Sequence, residues 1–375
     1  MRIAQIAPLM ESVPPRLYGG TERVVSYLTE ELVRQGHDVT LFASGDSITA
    51  AKLVPCSPQA LRLTPGVRET LPYHVTMLHE VLRRADEFDV MHFHIDLLHY
   101  LLMDRIADRC LTTLHGRLDL PDYQACYAAF PKMPLVSISM DQRRPMPPVN
   151  WAGCVHHGLP RDLLRPAPRP TGDYLAFLGR ISPEKRPDRA IEIAVRSGRT
   201  LRMAAKIDAV DRRYWDECIE PLVRANPNVE FIGEIGEAEK SAFLGNAAAL
   251  LFPIDWCEPF GLVMIEAMAC GTPVVAWRSG SVPEIIDEAR TGFMVRSMEE
   301  AVAAVDRAEQ LDRGAIRRVF ERRFTSDRMA ADYVSIYREM VAARVAAPDP
   351  LTVPLAASLP AAAASLDRPA LQAAD

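Results

Sequence analysis

Long apolar runs are missing from this chain. Nowhere do its 375 residues contain the ~20 uninterrupted apolar positions of a membrane-spanning helix. The opening MRIAQIAPLM breaks into proline and glutamate too early for a signal peptide. The expectation is a cytoplasmic protein, with peripheral attachment to the inner membrane surface left open although no basic amphipathic helix argues for a lipid face. Paired cysteines are missing as well: the seven cysteines, at 56, 110, 126, 154, 218, 257 and 270, form neither an even set nor a ligand spacing. A disulfide framework or a zinc ribbon is therefore not expected. Nor is there a surplus of positive charge. A net charge of −6 argues against a chain built to coat nucleic acid. The G-x-G-x-x-G of a dinucleotide site does not follow the first candidate strand, which disfavours a nicotinamide enzyme.

What is present is an ordinary globular composition, 49% hydrophobic and 25% charged, over a length that accommodates two domains. RIAQIAP reads as a buried strand, and TERVVSYLTEELVRQGHDVTLFAS reads as a helix followed by a strand, with Val24, Val25, Leu28, Leu32 and Val33 at helical spacing and Gly36 closing the run. The alternation continues through FDVMHFH, RCLTTLHG and PLVSISM. Prolines at 160, 166, 168 and 170 interrupt it in LPRDLLRPAPRPT, the expected linker. It then restarts at DYLAFLGR and runs to TPVVAW. Short apolar strands between helices imply parallel sheets covered on both faces, and ligands of such sheets sit beyond the carboxyl ends of the strands.

The stretch EPFGLVMIEAMACGTPVVAW places Glu258 and Glu266, with seven residues between them, in an otherwise apolar setting. EPFG reads as a turn, LVMIEAMA as a short helix stopped by Gly271, and TPVVAW as a strand. Glu258 falls at the mouth of that helix and Glu266 within it. A helix N-terminus attracts phosphate through its unpaired N–H groups, for which Gly261 and Leu262 are the candidates. A carboxylate facing the same cleft suits the vicinal hydroxyls of a ribose. Two solvated surface charges are the bland alternative, and the apolar surroundings count against it. His92 and His94 in MHFH share a strand face and invite a metal reading. No third ligand stands at a telling spacing, so packing or lining of the cleft is preferred.

The stretch EPFGLVMIEAMACGTPVVA resembles the signature of the retaining GT-B glycosyltransferases of family 4, and YGGTERVV, DVMHFH, TLHG and FLGRISPEKRPDRAIEIA extend the resemblance to about residue 345. It implies an α/β GT-B fold: two doubly wound Rossmann-like domains, 1–165 on the acceptor side and 166–325 binding the nucleotide-sugar, with 326–347 crossing back as a helix and 348–375 a flexible tail. It also implies site roles. Glu258 orients the donor sugar and His115 contacts it, as the catalytic pair. Gly19, Gly20, Arg180, Lys185, Gly261, Leu262 and Glu266 bind the donor. Ser182 and Pro183 look like the cap and first position of a helix whose first turn carries Lys185. No D-x-D triplet occurs, so Arg180, Lys185 and the helix dipole are expected to neutralise the diphosphate with no metal cofactor. The implied reaction is transfer of a hexose from a nucleoside diphosphate sugar, UDP-glucose favoured over GDP-mannose, to a hydroxyl of a polysaccharide, lipid or small molecule. A nucleotide-sugar epimerase of the same architecture and a non-catalytic binding protein remain the alternatives. Ser281, where many relatives have a second glycine, and His157, where an asparagine is frequent, depart from the pattern.

Overall fold

The computed structural model describes residues 1–16 and 19–346; the tail expected over 348–375 lies outside them. Among the described residues thirteen strands form two sheets. The first contains β1 (Arg2–Ile6), β2 (Asp38–Ser44), β3 (Lys52–Ser57), β4 (Val90–Phe93), β5 (Cys110–Thr113), β6 (Leu135–Ser137) and β7 (Trp151–Cys154), in the order β3-β2-β1-β4-β5-β6-β7. The second contains β8 (Tyr174–Arg180), β9 (Thr200–Lys206), β10 (Val229–Gly233), β11 (Ala249–Phe252), β12 (Val274–Trp277) and β13 (Gly292–Val295), in the order β10-β9-β8-β11-β12-β13. Every pair is parallel. The apolar runs read as strands are buried for this reason: β4, β5 and β11 lie between helical layers and have no solvent side.

Each sheet reverses its winding direction once, between β1 and β4 and between β8 and β11. Such reversals splay the connecting loops apart and leave a crevice at the carboxyl ends of the strands. The loops after β1, β5, β8 and β11 carry Gly19–Gly20, His115, Lys185 and Glu258, so the two crevices open on one cleft.

The polypeptide passes between the halves twice, side by side. Leu159 N–H donates to Phe324 O at 2.9 Å and Ser326 N–H to Leu159 O at 2.8 Å. Gly158 is required here, since a Cβ would stand 2.2 Å from Thr325 O. After the second pass the helix Ser326–Ala346 lies against the first sheet, burying Met329, Tyr333, Ile336 and Tyr337. At roughly 1.5–3 kcal/mol per fully buried large apolar side chain, this stripe is a major attachment between the halves. Polar contacts add to it: the Glu284 carboxylate accepts the backbone N–H groups of Met140 at 2.8 Å and Asp141 at 2.7 Å.

Candidate functional site

The cleft encloses about 530 Å³ and is lined from both halves. Its second-half wall is made of ion pairs. Glu258 leaves β11 through a tight loop, and its carboxylate is buried. Its Oε2 receives the Lys185 ammonium and the indole N–H of Trp256 at 3.1 Å. Lys185 Nζ also sits 4.8 Å above the Trp256 ring, a favourable place for a cation on an aromatic face. The loop tolerates no extra atom at Gly280, whose φ is 56° and whose Cβ would meet Glu258 N at 2.3 Å. Ser281, the departure from the usual glycine, is at ordinary φ (−73°) and donates from Oγ to Phe260 O at 2.9 Å, stitching the loop down.

The helix Leu262–Ala269 starts from Gly261, which takes a left-handed φ of 79°. A side chain there would also crowd Met264 and Phe252, so glycine is needed twice over. Glu266, on this helix, is buried, and its Oε1 accepts from Lys240 Nζ at 2.7 Å. Lys240 is held in turn 3.5 Å from Glu237, which pairs with Arg23 from the first half. Each glutamate thus gives one oxygen, Glu258 Oε2 and Glu266 Oε1, to a lysine.

The expected cations are placed differently from the sequence reading. Lys185 is not in the first turn of a helix: Pro183–Lys185 form a separate 3₁₀ turn, Arg186 turns the chain at φ 51°, and the helix begins at Pro187. Ser182 has the extended backbone of a cap but makes no side-chain cap bond. Arg180 lies within an acidic group, bonded to Glu184 and 3.7 Å from both Asp208 and Asp211. Gly19 is extended at φ 165°, and a Cβ there would meet Pro15 Cβ at 2.8 Å. Gly20 faces Leu262.

The first-half wall sets neutral histidines beside charged groups such as Glu11, Arg23 and Arg62. His115 follows β5, and its ring stacks on that of His157 at 5.3 Å. Burial pushes its pKa down to about 3, so the imidazole is uncharged at neutral pH. His92, His94 and His157 are likewise pushed well below their ordinary range by burial. His92 and His94 have both ring nitrogens in hydrogen bonds, which fits packing better than metal ligation. Towards the rim, Glu11 and Glu22 are buried carboxylates, and desolvation raises both.

Two family models cover most of the chain: Glycosyltransferase Family 4 matches residues 18–152 and Glycosyl transferases group 1 matches residues 164–322. The chain belongs to glycosyltransferase family 4. Among relatives, the D-inositol 3-phosphate glycosyltransferase of Mycolicibacterium smegmatis is 26% identical over 353 residues, 79% of each chain. That of Salinispora tropica is 31% identical over 195 residues, which span 46% of this chain but 39% of the relative. Among solved structures, AviGT4, a glycosyltransferase involved in avilamycin A biosynthesis, is 25% identical, with 92% of this chain and 98% of that one aligned at a TM-score of 0.67. Anabaena HepE in complex with UDP and glucose shares the fold at 16% identity and a TM-score of 0.69, over 90% and 100% of the two chains. The two doubly wound sheets are thus those of a GT-B fold. Among the described residues no helix is long and apolar enough to cross a membrane.

Sequence reasoning missed the partners that make this family 4 site work as a unit. Lys240 and Glu237 lie in EAEKSAFLG, with nothing to separate them from a solvated helix face, and Trp256 is distinguished only by standing two residues before Glu258. Nothing in the sequence joined Gln5 to Tyr337, because their meeting depends on the last helix docking across the first sheet.

Proposed function

We propose that the protein transfers a hexose, with retention, from a nucleoside diphosphate sugar of the UDP-glucose type to a hydroxyl acceptor, and that the transfer needs no metal. The observation that carries this reading is the pair of buried glutamates in the lining of the cleft, each holding a lysine through one of its oxygens. Glu266 is suited to a ribose diol and Glu258 to hydroxyls of the donor sugar, while the start of the helix Leu262–Ala269 between them offers N–H donors to a diphosphate. Lys185 and Arg180, with the helix dipole, supply positive charge for the leaving diphosphate, the electrostatic part of the catalysis. The cations are already compensated by Glu258 and Glu184, so the donor binds by exchanging partners: its phosphates take over lysine and arginine hydrogen bonds that carboxylates hold beforehand.

The names of relatives support a phosphorylated polyol or sugar as acceptor, since inositol 3-phosphate and sucrose-phosphate enzymes align with this chain. The test is a panel of nucleotide sugars assayed for nucleoside diphosphate release, with and without such acceptors, in the presence of a chelator. Acceptor-dependent release that survives the chelator is expected. Loss of activity with chelator and recovery with magnesium or manganese would overturn metal independence. Donor conversion without acceptor and without hydrolysis would point to an epimerase instead.

A further inference from the structure

An unbroken chain of hydrogen bonds runs from the last helix to the cleft. Tyr337 OH lies 2.7 Å from His92 Nδ1 and 3.2 Å from Gln5 Nε2. Gln5 Oε1 lies 2.8 Å from His94 Nε2, and His94 Nδ1 lies 2.8 Å from His115 Nε2. On the other side His92 Nε2 meets Thr113 Oγ1 at 2.7 Å, and Thr113 Oγ1 meets Tyr333 OH at 2.9 Å. The groups come from β1, β4, β5 and the helix Ser326–Ala346. Parallel pairing sets Gln5 directly beside His92.

A neutral imidazole has one N–H and one lone pair, so the role of each link dictates the next. The Tyr337 hydroxyl has a single hydrogen. Given to His92 Nδ1 across the shorter contact, it leaves Tyr337 an acceptor for the Gln5 amide N–H. The Gln5 oxygen then faces His94 and requires Nε2–H there. His94 Nδ1 is thereby a lone pair, which receives Nε2–H of His115. The remaining His115 nitrogen, Nδ1, must be unprotonated, and it is a buried polar atom with no partner among the described residues. Burial, which keeps these rings uncharged, prevents a stray proton from breaking the sequence.

We propose that Gln5 and Tyr337 are positioning residues that fix His115 as a hydrogen-bond acceptor towards the cleft, so that the bound ligand must present a hydroxyl donor to it. This deepens the glycosyl-transfer reading and rests on it for the nature of the ligand. His115 then acts as a neutral acceptor that orients a sugar hydroxyl, and not as a general acid. Turning the Gln5 amide over would reverse every link and hand the cleft an N–H instead.

The experiment uses the full chain, free of ligand and labelled with ¹⁵N at histidine. Long-range ¹H–¹⁵N correlation distinguishes the two tautomers, and a His115→Gln variant assigns the resonance. The expected wild-type result is one His115 tautomer, Nε2–H, between pH 6 and 8. Gln5→Leu and the milder Tyr337→Phe, each checked for folding by its melting curve, should give a mixture or the reversed form. Nδ1–H in the wild type, or a His115 signal unchanged in both folded variants, would overturn the proposal. Because no ligand is present, failure of the transferase reading cannot be mistaken for failure of this one. With a donor that is turned over, Tyr337→Phe should lower kcat/KM by about two- to tenfold, the scale of one neutral hydrogen bond. Wild-type kcat/KM beside an altered tautomer would remove the functional half of the claim.

Discussion

The two walls of the cleft are built from the same kind of sheet and yet hold their polar groups in place by opposite means. The second half buries charge and compensates it pair by pair: Lys185 with Glu258, Lys240 with Glu266, Arg180 with Glu184. The first half buries neutral imidazoles and amides and links them end to end. Charge pairs can be exchanged, because a phosphate or a hydroxyl can take the place of one member. A neutral chain cannot be interrupted anywhere without leaving an unsatisfied polar group in the interior, which costs about 1–3 kcal/mol. The histidine chain of the first wall is therefore a fixed template and the ion pairs of the second a set of exchangeable contacts, a division that suits the proposed transfer from a donor whose diphosphate leaves.

The largest test of this contrast is Glu258→Ala. It removes the group proposed to orient the sugar and at the same time frees Lys185. Turnover should fall by about a hundred- to a thousandfold, the range for deleting one preorganised electrostatic group. Nucleoside diphosphate binding should be unchanged or tighter, since the released ammonium gains a phosphate. Calorimetry with the free diphosphate checks it. Weakened binding would mean that the pair acts as a single diphosphate site and that the exchange picture is wrong.

Glu266→Ala comes next. Losing hydrogen bonds to a charged acceptor costs about 1.5–3 kcal/mol, so free diphosphate and intact donor should both bind roughly ten- to a hundredfold more weakly. Lys240→Met should give a smaller loss in the same direction, because Glu266 remains but is no longer oriented. If Glu266→Ala leaves diphosphate affinity intact, the ribose does not lie on this carboxylate.

The same division explains what could be read in the sequence. The second-half site is local: Glu258, Gly261 and Glu266 fall within one loop and one helix, so their spacing brings them together, whereas Arg180 and Lys185 enter the site through the family resemblance. The alternation of apolar strands and helices carried most of both sheets but not the edge strands β3, β7 and β13, and the helix Ser326–Ala346 came with the resemblance. What spacing could not carry was anything decided by register or docking. Gln5 belongs to a strand of apolar neighbours and reads as an oddity until β4 pairs with β1 and Tyr337 arrives from more than three hundred residues away. The 3₁₀ turn at Pro183–Lys185 was misread because a proline after a serine starts either kind of helix, and the left-handed Arg186 that separates the two has no signature of its own.

Acid should separate the halves. His92, His94, His99, His115 and His157 have folded pKa values below the ordinary 6.5, so the unfolded chain binds protons that the folded one refuses, and stability falls as pH drops below about 6.5. Each such group contributes up to ~1.4 kcal/mol per pH unit across its window, which for His115 extends to about 3. Glu11 and Glu22, whose values are raised by burial, act in the opposite sense as the pH falls towards their ordinary 4.5 and blunt the loss. In the second half the shifts run the other way: Glu184 and Asp188 are depressed below 4.5 and 3.8 despite burial, by their own amides and by arginine. Their contribution persists until the pH falls below those values. Hydrogen exchange followed from pH 7 to pH 5 should therefore show β1 and β4 losing protection before β8 and β11. Parallel loss in both sheets would mean that the histidine chain does not set acid stability.

The smallest expected effect sharpens the contrast at the hinge of the Glu258 loop. Ser281→Gly installs the residue many relatives have, and it removes one bond, Oγ to Phe260 O, while keeping the bond from its backbone N–H to Glu258 O at 2.9 Å. One neutral hydrogen bond and the added backbone freedom of glycine amount to about 1–2 kcal/mol of stability. Turnover should stay within about threefold of wild type, because the groups that place the carboxylate, Lys185 and the Trp256 N–H, are untouched and a loss of one weak contact is worth no more than that. A thermal melt and a rate measurement on this one variant decide the matter. If turnover instead falls as far as in Glu258→Ala, the loop, and not the ion pair, fixes the position of the glutamate, and the second wall is as rigid a template as the first.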